Sequence, residues 1–171
     1  MIGRYMGALT LSGVIQHSDI DEIARVFTPI FDSRIKGIRR QIENGEREFF
    51  FQYRRRQEVD AEVEDLCENL GLSFAWSTVE AVSEDDRIER VRLCDRLLGQ
   101  DMSFRLKDGT YLDVSPETEA LVERWRDIDD APPFLIAVSQ HELLRLAADP
   151  EHGPAARLYL ERRGRRNFDQ A

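Results

Sequence analysis

The chain has 171 residues, 42% of them hydrophobic and 33% charged, with a net charge of −9 and two cysteines. That length suits one domain, or two small units sharing a core, and the hydrophobic and charged shares suit a real core under a solvated surface, which argues against disorder except at the ends. No apolar run approaches the ~18 residues that a membrane span requires. The opening MIGRYMGALTLSG lacks the apolar centre of a signal peptide, so a cytoplasmic protein is expected. Cys67 and Cys94 sit on apolar stripes with no histidine nearby. They read as buried thiols rather than a disulfide or zinc ligands.

Residues 5–15, YMGALTLSGVI, read as a strand with Leu9 and Leu11 on one face. Ser18, three residues before Asp21, marks a helix start. Ile20, Ile23, Phe27 and Ile30 carry the helix forward at helical spacing to Pro29. Ile38 and Ile42 then alternate, Asn44-Gly45 offers a positive-φ turn, and Phe49, Phe51 and Tyr53 alternate again, which predicts a hairpin. Val59, Val63, Leu66, Cys67 and Leu70 form a helical stripe closed by Gly71. The run 72-LSFAWSTV-79 is the next strand. This βαββαβ order is the ferredoxin-like arrangement.

Beyond residue 82 the pattern of the letters predicts the same order again. Ser83 with Asp86 predicts a helix with apolar positions Ile88, Val91, Cys94 and Leu98, closed by Gly99. A hairpin is expected over 102–114 around Asp108-Gly109. Ser115-Pro116-Glu117 starts a helix marked by Leu121, Trp125 and Ile128. FLIAV (134–138) is a short buried strand. Ser139 and Glu142 form a capping box for a helix through Ala148, and 154–163 is a last helix. The expectation is an α+β protein: a ferredoxin-like unit over 1–82, then a second βαββαβ-like unit with C-terminal helices over 83–171. The two would share the central strand and pack as one body.

No phosphate loop, nucleophile elbow or metal-ligand spacing occurs, and His17, His141 and His152 lie far apart. No cofactor or metal is expected, and catalysis has no positive sign, although a small enzyme with a dispersed site is one alternative. Charge is more informative. Residues 57–86 hold ten carboxylates and no lysine or arginine, whereas residues 1–56 hold ten basic and seven acidic side chains. Only Lys36 and Lys107 are lysines, which suggests a GC-rich bacterial or mobile-element origin. The acids Asp60, Glu62, Glu64, Asp65, Glu68, Glu84, Asp85 and Asp86 are expected to form a negative helical surface. Such a surface would steer a basic protein partner, such as a nucleic-acid-handling protein, in the manner of an inhibitor. A solvated face is the plainer explanation of the same charges. A homodimer through a sheet edge is also compatible.

The alternative is direct nucleic-acid binding through Arg39, Phe50, Arg54, Arg55 and Arg56. An aromatic strand beside arginines imitates the stacking platform of RNA-binding sheets. Arg47, Phe49 and Phe51 match the known third-strand pattern, but its other positions do not. With a two-residue turn at Asn44-Gly45, Phe49, Phe51 and Tyr53 fall on the core side, and Arg39, Phe50 and Arg54 on the other. The overall negative charge opposes this reading.

Overall fold

The computed structural model describes residues 5–31, 37–53, 57–81, 87–112, 114–126 and 131–169. Strand β1 (Tyr5–Gln16) leads through a 3-10 turn to helices α1 (Ile20–Phe27) and α2 (Gly37–Glu43). Strand β2 (Glu48–Tyr53), helix α3 (Gln57–Leu70) and strand β3 (Ser73–Ala81) follow. Three more strands run in succession: β4 (Arg87–Asp95), β5 (Gln100–Lys107) and β6 (Thr110–Leu112). Helix α4 (Pro116–Arg126), strand β7 (Phe134–Ala137) and helices α5 (Gln140–Ala147) and α6 (Gly153–Asp169) complete the described chain.

The protein is therefore α+β, built on one open sheet of order β2-β1-β3-β4-β5-β6 with antiparallel neighbours. β7 lies parallel to the end of β1, beyond the stretch that β2 occupies. Arg47 ties these two neighbours together: its guanidinium donates to the carbonyls of Ala131 (3.0 Å) and Pro132 (2.7 Å), just before β7.

Two expected elements are replaced. Residues 38–42 are helix α2, not the first strand of a hairpin. A strand would have put Arg40 on the same side as Ile38 and Ile42. A helix turns both Arg39 and Arg40 outward while the two isoleucines, four apart, are buried together. Gly45 keeps its positive φ of 77° for a different purpose, closing α2. Gly45 N–H donates to the Ile42 carbonyl and Glu46 N–H to the Gln41 carbonyl, the paired bonds of a Schellman cap. β2 therefore pairs with β1, with Phe49 opposite Leu9 and Phe50 opposite Ala8. The order through residue 81 is β-α-α-β-α-β rather than βαββαβ.

The second replacement is the helix expected after Ser83. Its described part, from Arg87, is strand β4, which pairs with β3 and β5 along its length. Gly99, with φ 66°, closes the turn to β5 instead of a helix. The proposed repeat thus loses its first helix in the second half. Ser83 and the acids Glu84, Asp85 and Asp86 lie outside the described residues.

Other expectations match. Gly71 caps α3 with the same paired bonds as Gly45, Gly71 N–H to Glu68 and Leu72 N–H to Cys67. Asp108 and Gly109 (φ 52° and 78°) turn the β5–β6 hairpin. Ser139 Oγ accepts from Glu142 N–H at 3.1 Å, although the Glu142 carboxylate reaches Val138 N–H rather than Ser139. Cys67 and Cys94 are free and buried, and burial pushes the Cys67 thiol up to about 12.

The sheet separates two apolar layers. On one side Leu9, Leu11, Phe49, Phe74 and Trp76 join buried side chains from α1, α2, α3, α5 and α6. Phe27, Phe31 and Phe49 meet there with ring centres 4.8–5.7 Å apart. On the other side, α4 is the one described helix that packs, setting Val122 and Trp125 against Val91, Leu93, Phe104 and Leu106.

Tyr159 fastens α6 to the end of β1. Its ring is 1% exposed, its hydroxyl donates to Asp19 at 2.5 Å, and Arg163 donates to the hydroxyl at 3.2 Å. Burial, reinforced by Asp19, pushes the phenol up to about 12 from an ordinary value of 10. A raised folded value means the phenol's contribution is complete below about pH 10 and is lost as pH rises through about 12. Cys67 acts in the same direction from its ordinary value of 9.0. Urea midpoints measured across this alkaline range should therefore fall with pH. Tyr159→Phe should flatten that fall, leaving the thiol's share.

Candidate partner-binding surfaces

Helix α3 carries its acids on two sides. Val63, Leu66, Cys67 and Leu70 are buried, and the stripe Asp60, Glu64, Glu68 lies beside them, facing arginines. Glu64 accepts two bonds from Arg92 of β4, whose other nitrogen reaches Asp101 of β5 at 2.5 Å. The Glu64 bond, with Asp101 adding to it, holds the Arg92 guanidinium above its ordinary value. Glu68 lies 3.1 Å from Arg162 of α6 and 3.7 Å from Arg96, which follows β4. The expectation of a negative surface without compensating cations is corrected for these two residues. The compensating arginines come from segments distant in sequence. Asp60 is half-buried and lines a cleft with Arg90, Arg92 and Arg105. Of the α3 acids, Glu62 and Asp65 are exposed beside Glu68.

Of the residues expected to touch nucleic acid, the two that are described, Arg39 and Phe50, do not come together. Arg39 lies on α2, paired with Glu43 (2.8 Å) and with Asp21 of α1. Phe50 is 57% exposed and points to the opposite side of the sheet from Phe49. The correction follows from α2 being a helix, which moves Arg39 from the sheet to the helical layer. Arg54, Arg55 and Arg56 lie outside the described residues, as do the side chains of Phe51 and Tyr53.

The open side of the sheet holds a groove that the expected site residues do not include. α4 covers β4 and β5, while the small residues Ala8, Thr10, Ala75 and Ser77 form a floor beside it. Facing pairs place them on one side: Glu48 opposite Thr10, Thr10 opposite Ala75 and Ala75 opposite Leu93. The next row runs Phe50, Ala8, Ser77, Val91. Trp125 and Val122 form the wall, and the groove encloses about 200 Å³.

Two carboxylates stand in this groove, Glu48 of β2 and Glu89 of β4, and no arginine or lysine is among the described residues that line it. Three strand spacings (about 14 Å) and a four-residue offset along the strand (about 13 Å) put Glu48 and Glu89 roughly 20 Å apart. That spacing suits two cationic groups on an extended segment better than one shared proton. Ser77 donates to Glu89 at 2.6 Å and orients it. The Trp125 wall is held by Asp95, which accepts from the indole N–H at 3.2 Å.

A signal for Glu48 was legible, because strand alternation puts it on the same face as Phe50, opposite Phe49. Glu89 was hidden by reading residues 83–99 as a helix. The described residues contain no group of three potential metal ligands and no helix long and apolar enough to cross a membrane. No family model, curated protein or solved structure matches the chain.

Proposed function

We propose that this is a non-enzymatic interaction protein that captures a basic, extended segment of a protein partner in the groove on the open side of its sheet. The observation that carries this reading is the charge of that groove: among its described lining residues are two carboxylates, Glu48 and Glu89, beside a floor of small side chains, and no arginine or lysine. Glu48 and Glu89 would each receive a lysine or arginine, and Trp125 and the floor of small residues would cover the apolar stems of those side chains. Glu62 and Asp65 on α3, together with the net charge of −9, would speed encounter without setting the fit. A nucleic-acid-handling protein has the required basic surface. Occupying that surface in the cytoplasm would make this chain an inhibitor.

The test is binding of a fluorescent peptide alternating arginine and leucine, at low and moderate salt. Glu48→Gln with Glu89→Gln should weaken binding roughly tenfold, as expected for two charge pairs at a groove rim. Glu62→Gln with Asp65→Asn should mainly slow association. Equal affinity in wild type and the groove variant would overturn the reading. So would self-association that excludes the peptide, which would make a second copy the occupant. Single-stranded RNA binding more tightly than the peptide would favour the nucleic-acid alternative instead.

A further inference from the structure

The two ends of the sheet order, β6 and β2, differ as edges. β6 is only three residues long. β2 has six, EFFFQY, and pairs with β1 without a break, from Tyr53 opposite Tyr5 to Glu48 opposite Thr10. Among the described residues no strand pairs with its outer side. Leu11 N–H donates to the Arg47 carbonyl, which fixes the phase of the ladder. Phe49, Phe51 and Tyr53 therefore turn their backbone groups toward β1, while Glu48, Phe50 and Gln52 turn theirs outward. Proteins usually guard such an edge with a lysine, a proline or a bulge that stops another strand from adding to it. β2 has none of these, and Phe50, central in the outward-facing row, is 57% exposed.

We propose that this edge pairs with the same edge of a second copy, β2 against β2 in antiparallel, across a two-fold axis at Phe50. In that register Phe50 faces Phe50 of the second copy, and Glu48 faces Gln52. The outward N–H and C=O groups of all three residues then find partners in both copies. Phe50 is the one axis along β2 that achieves this, because Glu48 and Gln52 are symmetric about it. An axis at Glu48 would set two carboxylates face to face, which destabilises a sheet. An axis nearer Gln52 would leave Glu48 beyond the end of the facing strand. Self-complementarity of this kind is what a closed two-fold contact requires. The facing phenylalanines form a cross-strand aromatic pair on the open side and cover the exposed rings. The contact uses the side of β2 away from β1, so it leaves the floor of the peptide groove open and stands independently of peptide capture.

Sedimentation equilibrium across a series of protein and salt concentrations tests this. The wild type should approach twice the monomer mass as its concentration rises. Added salt should strengthen the dimer by screening the repulsion between two copies of net charge −9, whereas it weakens capture of a basic peptide. Gln52→Pro deletes an outward N–H that β1 does not use, and Phe50→Lys places a charge at the axis. Both should remain monomeric with the circular dichroism of the wild type. Phe50→Cys should form a covalent dimer with oxidised glutathione, because facing Cα atoms in such a pair lie about 5.5 Å apart, within disulfide range. Thr110→Cys on the β6 edge should not. A wild type that is monomeric at every concentration, variants that dimerise as the wild type does, or equal cross-linking through Thr110→Cys would overturn the proposal. So would a dimer that dissociates as salt rises, which would make the contact one of charge pairs.

Discussion

Phe49→Ala should destabilise the protein by about 3–5 kcal/mol, the usual cost of emptying an aromatic site in a packed core, while Phe50→Ala should change stability by about 0.5 kcal/mol or less. The two residues are neighbours in β2 and chemically identical. Phe49 is 2% exposed and meets Phe27 edge-to-face at 5.2 Å, whereas Phe50 projects from the open side. Urea denaturation of both variants checks the register directly. Comparable losses would mean that β2 presents the wrong face to α1 and α2. The same pair separates stability from function, since Phe50 flanks the proposed peptide groove and Phe49 does not.

Asp95→Ala should cost about 3 kcal/mol. The carboxylate is 3% exposed at the end of β4. One oxygen accepts from the backbone N–H groups of Leu97 (3.2 Å) and Leu98 (3.1 Å), and the other accepts from Trp125. A bond to a charged acceptor contributes ~1.5–3 kcal/mol, and a buried donor left without its acceptor adds a further penalty. Asp95→Asn retains a carbonyl acceptor and should lose about half as much. Because Trp125 walls the groove, Asp95→Ala should also weaken peptide binding. A melting temperature unchanged from wild type would show that the turn and α4 hold without this residue.

Much of the fold was legible where one local pattern admitted one structure. The stripe from Val63 to Leu70, with Gly71 after it, fits only a capped helix. Asp108-Gly109 between short alternating runs fits a tight hairpin. The failures came where a pattern served two structures. Ile38 and Ile42 are two turns of a strand pleat or one turn of a helix, and Gly45 can close either one. The run RIERVRLCD alternates as a strand, with Val91 and Leu93 against Arg90 and Arg92. It also spaces Ile88, Val91 and Cys94 three apart, as a helix does. Pairing with β3 on one edge and β5 on the other decided it, and those pairings are invisible in a local window.

The candidate sites divide in the same way. The sequence alone determined the excess of negative charge, its concentration in residues 57–86, the cap of α3, and the opposite faces of Phe49 and Phe50. Each follows from composition or from the period of a single element. Only the tertiary structure decided which acids are neutralised. Arg92, Arg96 and Arg162 reach Glu64 and Glu68 from segments more than twenty residues away. It also brought Glu48 and Glu89 to one groove. Charge along a chain is additive and local, whereas the field at a site depends on which strands become neighbours.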